Sequence, residues 1–327
     1  MEKKRSGWRT AGLIAGVGCL SIIGVIVGGV IIAVIWARSV VGDLDTNPRP
    51  VDRRIAVSAP AADTTKGPEK AASRTTPTRL TIDLREGEFT IKPGQPGSDI
   101  RVEGDYPPDM YELTEHQETD PATGVRRVTV RFRSKAPMWA RIFAGFGSGG
   151  SGNPPRLTVT IPRGSPIDLN LQMTMGKSEV DLGGLTLGEV NVTAAMGEHS
   201  IDFHEPVVEG LRELRINSSM GKLALENLGN ARADTIHASG NMGEVTANLG
   251  GAWPAGGTSS LTFDQAMGDL TLRVPNSVRL DADVRSSQGG ETTSRTTQDA
   301  TPPDAPNAPT LRLRVNSSMG EARVVRY

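Results

Sequence analysis

Two histidines stand close together in GEHSIDFHEP, where His199 and His204 are accompanied by Glu198, Asp202 and Glu205. Imidazole and carboxylate groups are zinc ligands by type. An offset of five places the two imidazoles on opposite faces of an extended strand, because successive side chains alternate. His116 and His237 lie far off in sequence. The pattern reads as surface histidines, with no metal site. The carboxylates of Glu244, Asp269 and Glu321 suit calcium by type, but the motifs of calcium-binding β-rolls are missing. GFGSGG, residues 145–150, satisfies GxGxxG literally. A dinucleotide fingerprint needs a strand before it and a helix after it; here SGNPP follows, and the segment reads as a loop. GxSxG, the Walker loop and HExxH do not occur, so no catalytic residue and no cofactor are assigned, and the chain is read as a non-enzyme.

A more regular pattern is carried by sulfur. The dipeptide Met-Gly recurs at Met175–Gly176, Met196–Gly197, Met220–Gly221, Met242–Gly243, Met267–Gly268 and Met319–Gly320. Subtracting successive positions gives spacings of 21, 24, 22, 25 and 52. Thioethers are soft ligands suited to Cu(I). Methionine is also a flexible apolar filler of irregular space, and core packing already accounts for the spacing. With methionine counted as zero, apolar residues favour positions −4, −2 and 0, as in Val192, Ala194 and Met196. After the glycine they fall at +5 and often at +3 and +7, as in Leu223 and Leu225. A shift of one residue would turn every later side chain to the other face, so the chain must bend at Met-Gly, where glycine tolerates the required angles. The phase predicts that Met196, Met220 and Met242 face inward, buried along one stack. Position +2 carries Lys177, Glu198, Lys222, Glu244, Asp269 and Glu321, which reads as an exposed charge ladder.

Two architectures satisfy the pattern. Each copy is one coil of a β-solenoid, of about 21–25 residues with two short strands joined at a glycine corner; or Met-Gly-x-Val is a two-residue hairpin. The recurring period favours the solenoid, because stacked coils reward holding methionine in one place. The long last interval hides a degenerate copy with Gln288 in the methionine place, and a leading copy, LTIDLREGEFTIKP from Leu80, puts Glu86 there.

Scarce aromatics (4%) with 38 glycines and 22 prolines suit short strands and many turns. The net charge of −1 gives no support for a nucleic-acid partner, and Cys19, the single cysteine, permits no intrachain disulfide. Ala11 to Ala37 is an uncharged apolar run, longer than the ~20 residues that span a bilayer. Trp8 and Trp36 flank it, and Gly24 and Gly28 form a GxxxG pair that could dimerise helices. Lys3, Lys4, Arg5 and Arg9 precede it, which by the positive-inside rule leaves the N-terminus cytoplasmic. The expected organisation is a cytoplasmic N-terminus (1–10), a transmembrane helix (11–37) and a flexible linker (38–78). A β region (79–165) with a loop at 135–155 follows, then the Met-Gly repeats (166–327) with a loop at 287–309. Within KAPMWARIFAGF, residues Met138, Trp139, Ile142, Phe143 and Phe146 recur at helical spacing. The segment reads either as a cap on one end of the β-core or as a surface touching membrane or partner through Trp139, Ile142, Phe143 and Phe146.

The repeat rhythm of IPRGSPIDLNLQMTMGKSEVDLGGLTLGEVNVTAAMGEHSIDF, its glycine corners and the leading LTIDLREGEFTI strand resemble the toast-rack and putative-adhesin domains of bacteria. These are related to the outer domains of LiaF-type envelope-stress proteins. The resemblance spans roughly residues 79–327. It implies a β-solenoid-like fold, an envelope location and no enzyme activity, and it supplies no functional residues. The expected function is a non-enzymatic, single-pass membrane protein that presents an extracytoplasmic β-repeat domain for binding or envelope-stress sensing. Its partners would be another envelope protein or cell-wall glycan, met by small polar residues such as Thr193, Asn217, Ser219 and Asn316. The alternative is a structural solenoid that self-associates through its open ends.

Overall fold

The computed structural model describes residues 47–56, 77–135, 154–288, 291–298 and 306–327. Among the described residues, alternating sequence and frequent turns give an all-β fold. In order come β1 (Arg49–Ile55), β2 (Thr78–Pro93), β3 (Ile100–Tyr106), β4 (Tyr111–Thr119), β5 (Arg126–Ser134), β6 (Arg156–Ile161), β7 (Ile167–Asp181) and β8 (Leu187–Asp202). They are followed by β9 (Glu213–Glu226), a 3-10 turn at Leu228–Ala231, β10 (Thr235–Asn248), β11 (Thr258–Met267) and β12 (Leu270–Val274). The chain ends with β13 (Arg279–Gln288), β14 (Glu291–Gln298), β15 (Thr310–Met319) and β16 (Ala322–Arg326). The apolar run 11–37 and the residues Trp139, Ile142, Phe143 and Phe146 lie outside the described residues. Among the described residues no helix is long and apolar enough to cross a membrane.

The repeats stack in parallel and in register. Met175 pairs with Met196, Met196 with Met220, Met220 with Met242, Met242 with Met267, and Met267 with Met319. The leading copy joins the same ladder, with Glu86 opposite Met175 and Gly87 opposite Gly176. A hairpin at Met-Gly would pair each copy with itself in antiparallel fashion; the parallel ladder excludes it. Each coil is a strand bent into two arms, followed by an irregular third side. Inward-facing Leu171, Val192, Ile216, Ala238 and Phe263 line the first arms, and Ile91, Val180, Ile201, Leu225 and Leu272 the second, all buried. The third side is stitched across coils by Asn230. Its Nδ2 donates to the Phe203 carbonyl and its Oδ1 accepts from the Ala252 amide, each at 2.8 Å.

The corner itself depends on glycine. Gly221 has φ 115°, and a Cβ there would lie 3.0 Å from the carbonyl carbon and from the nitrogen of Gly197, and closer still to its carbonyl oxygen. Two features therefore require glycine: a left-handed backbone angle, and the close approach of one rung's corner to the next.

Two expectations about organisation are revised. The linker 38–78 is not continuous, because Arg49–Ile55 forms β1, an edge strand antiparallel to β3. The Arg101 guanidinium of β3 donates to both Asp52 carboxylate oxygens, at 3.0 and 2.8 Å. It thereby fastens β1 and holds the Asp52 carboxyl below its usual range. The 287–309 loop contains β14, which folds back antiparallel on β13, with Gln288 facing Glu291. The degenerate copy therefore reverses where the others bend. It also lies out of chain order: β15 pairs β11 on one side and β13 on the other, so the last copy is inserted before the one that precedes it.

At the opposite end the first arm of β2 pairs with β5 and its second arm with β6, both parallel. These two strands together make one more rung. This rung is thus made of two separate strands, β5 ending at Ser134 and β6 beginning at Arg156, where the other repeat rungs of β7 to β10 are single bent strands. β4 and β3 extend the two arms antiparallel. Four of the few aromatic rings meet here: Phe132 lies 6.2 Å from Phe89, 5.1 Å from Tyr106 and 5.3 Å from Tyr111.

Candidate functional site

The expected burial of the methionines is wrong. Met175, Met196, Met220, Met242, Met267 and Met319 are each between 40% and 54% exposed, and among the described residues they make up most of the exposed large apolar side chains. The reason lies in the ladder. Pairing passes from Gly240–Ser218 directly to Met242–Met220, leaving out Asn241 and Ser219, and the same position is skipped in the other repeat rungs. The chain already turns at the residue before methionine. The inward phase ends at −2, resumes at +3, and leaves methionine on the convex side of the corner. The result is a ridge of six thioethers in consecutive register.

The ridge divides two outer faces. On the first arms, position −3 carries Gln172, Thr193, Asn217, Ser239, Asp264 and Asn316 in register. These side chains are exposed or half-buried and join laterally. Ser239 Oγ donates to Asn217 Oδ1, and Asn316 Nδ2 donates to Asp264 Oδ1, each at 2.7 Å. The outcome is a regular wall of hydroxyl, amide and carboxyl groups on a rigid sheet. On the second arms, the +2 ladder is exposed, and Glu88 extends it opposite Lys177. Lys177 forms its ion pair with Glu179 of its own strand at 2.9 Å, rather than across the ladder. That contact, with Glu198 and Glu88 nearby, raises the Lys177 pKa. A shallow groove of about 440 Å³ beneath this ladder is lined by Lys177, Glu198, Lys222 and Glu244.

The two histidines expected at the surface separate. His204 is exposed, whereas His199 is only 4% exposed and points inward at +3. Its Nδ1 lies 2.8 Å from Ser178 Oγ in the preceding rung, and its Nε2 has no hydrogen-bond partner. Burial pushes the imidazole pKa down, with a smaller opposing effect from the Met196 backbone. Position +3 lies in the apolar phase after the corner, and that phase is the signal that could have identified His199 as internal. Among the described residues, no group of three or more His, Cys, Asp or Glu side chains is placed to hold a metal ion. Glu321 instead pairs with Arg323 at 2.8 Å.

Another clasp, not foreseen from sequence, stabilises the corners. Buried Gln265, at −2, donates through Nε2 to the Met267 carbonyl at 2.8 Å and to the Gly243 carbonyl of the preceding rung at 3.1 Å. It fits because Gly240 stands beside it: a Cβ at Gly240 would lie 3.0 Å from the Gln265 amide carbon. A large polar residue and a residue without a side chain thus share one inward position.

No curated protein is significantly similar to this chain. Solved structures with low similarity include a putative cell adhesion protein from Clostridium sporogenes, 8% identical with a TM-score of 0.38; the match covers 86% of this chain and 100% of that one. A putative adhesin from Bacteroides fragilis is 12% identical with a TM-score of 0.39, covering 86% of this chain and 98% of that one. The family model described as the N-terminal domain of toast_rack, DUF2154, matches residues 61–225. That match covers just over half of the chain and takes in β2 through most of β9; the rungs beyond it continue the same ladder. The chain belongs to the toast-rack N-terminal domain family, DUF2154.

Proposed function

We propose that this toast-rack protein is a non-enzymatic, single-pass membrane protein that presents its β-repeat unit outside the cytoplasmic membrane as a binding surface. The observation that carries the binding function is the polar wall of the first arms, where Gln172, Thr193, Asn217, Ser239, Asp264 and Asn316 repeat in register on parallel strands. Strand spacing fixes these groups about 4.8 Å apart. A rigid, regularly spaced array of hydrogen-bonding groups suits an extended polar polymer, because little ordering cost is incurred on the protein side. Cell-wall glycan is the partner class that fits it best, with a strand or loop of another envelope protein as the other partner class. The uncharged run Ala11 to Ala37 and the preceding Lys3, Lys4, Arg5 and Arg9 support the anchor and its orientation. Envelope-stress sensing would then be a consequence of occupancy of this wall.

Two experiments test the proposal. A single cysteine at Glu209, an exposed loop residue, with Cys19 replaced by serine, should react with a membrane-impermeant thiol reagent on intact spheroplasts; labelling only after lysis would reverse the topology. The purified chain should co-sediment with isolated cell wall, and Asn217→Arg should abolish retention by crowding the wall. Retention unaffected by that change would move the contact elsewhere.

A second interpretation, self-association, is favoured by one feature. Among the described residues β16 pairs with β12 only, while the first-arm side of the same end continues through β13 and β14. An edge strand of this kind can pair with a second copy. Concentration-dependent sedimentation of the full chain, abolished by Val325→Pro, would support it.

A further inference from the structure

We propose that the methionine ridge binds a soft monovalent metal ion, Cu(I), through the thioether sulfurs of adjacent rungs, with Met242, Met267 and Met319 as the principal site. Burial no longer explains the residue type. Glycine at each corner is dictated by its backbone angle and by the rung beside it. Methionine, on the convex side, is dictated by neither. Inward positions vary freely along the stack: +3 carries Phe89, Ser178, His199, Leu223, Val245 and Leu270. A corner that needed only apolar surface would be equally well served by the Leu, Ile and Val that fill this core. Instead, six corners in consecutive register carry sulfur.

The geometry fits a bridging ion. Adjacent rungs are about 4.8 Å apart, and in a trigonal site two sulfurs stand about 1.7 bond lengths apart, about 4 Å for a metal–sulfur bond of about 2.3 Å, a difference that the methionine torsions can take up. Three neighbouring methionines, each with three flexible torsions, can converge on one ion in trigonal fashion. Thioethers are neutral and soft and select Cu(I) over hard cations.

The charge pattern locates the principal site. Two residues beyond Met242, Met267 and Met319 stand Glu244, Asp269 and Glu321, three exposed carboxylates in succession. Beside Met175 and Met220 the same position carries Lys177 and Lys222. A cation is therefore drawn to the C-terminal half of the ridge, even with Arg323 paired to Glu321.

The test uses the full chain in detergent with Cys19→Ser, anaerobically and with ascorbate as reductant. Cu(I) is presented as its coloured bicinchoninate complex. The chain is expected to withdraw Cu(I) equally at pH 7 and pH 5, because thioethers carry no proton to lose, whereas histidine or cysteine ligands do. Loss of an outer-shell partner alone costs metal sites about 10–100-fold, so Met267→Leu, which splits the triplet, should weaken binding by about ten-fold or more. Met175→Leu should leave the principal site unchanged. Thermal melting by circular dichroism checks that each variant is folded; if Met267→Leu is not, Met319→Leu at the end of the column replaces it. Failure to withdraw Cu(I) overturns the proposal. So does withdrawal that disappears at pH 5, or a folded Met267→Leu chain that binds as wild type does.

Discussion

Replacing Gly221 by alanine should cost this protein far more than adding one methyl group would ordinarily suggest. The residue has φ 115°, in a region essentially reserved for glycine, and holding another residue there costs about 1–3 kcal/mol. The added Cβ would also lie 3.0 Å from the carbonyl carbon and nitrogen of Gly197, and nearer to its oxygen. Neither neighbour is a side chain that can rotate away. Relief requires the two rungs to part, with loss of one or two inter-rung hydrogen bonds at about 0.5–1.5 kcal/mol each. Together these give roughly 2–6 kcal/mol, a large share of a domain's net stability. Gly124 provides the control: its φ is 70°, but a Cβ there would meet nothing within 4 Å. Gly124→Ala should cost only the backbone component, about 1–2 kcal/mol. Urea unfolding of the purified chain, followed by far-ultraviolet circular dichroism, measures both. With a denaturant dependence of roughly 1–3 kcal/mol/M, Gly221→Ala should lower the midpoint by about 1–2 M more than Gly124→Ala. Equal shifts would mean that the approach of neighbouring corners is not what demands glycine, and the account of the stacked corner would fail.

The convex position of methionine predicts that Met220→Ala costs under about 1 kcal/mol, while Leu223→Ala, three residues on and buried, costs about 2–5 kcal/mol. Comparable losses in the same unfolding assay would return Met220 to the core. A further prediction concerns pH. His199 has its pKa lowered by burial, so the unfolded chain, with an imidazole near 6.5, binds the proton more tightly than the folded one. Stability should be unaffected above about pH 7 and fall as pH drops below 6.5 towards the folded value, by at most about 1.4 kcal/mol per pH unit. His199→Leu, which places in this rung the residue that Leu223 supplies in the next, should remove that component; an identical pH profile in the variant would dissociate it from His199.

Much of this architecture is legible in the amino-acid sequence, because a stacked repeat writes its long-range order into a local period. The Met-Gly recurrence, the flip of apolar phase around it, and the glycine that a bend requires together imply parallel rungs, and even the divergent copy around Glu86 falls into the ladder. Those signals are short-range: alternation records the face of a strand and glycine records permitted backbone angles. Three matters were decided only in three dimensions. Sequence shows that the phase changes somewhere between Ser218 and Leu223, but which residue takes the convex place depends on ladder pairing that skips Ser219. This is why Met220 is exposed and His199, read as a surface residue, is internal. Arg49–Ile55 has the composition of a linker and becomes a strand because β3 offers it an unpaired edge. The insertion of β15 between β11 and β13 follows from non-local strand pairing, for which a period along the chain carries no record.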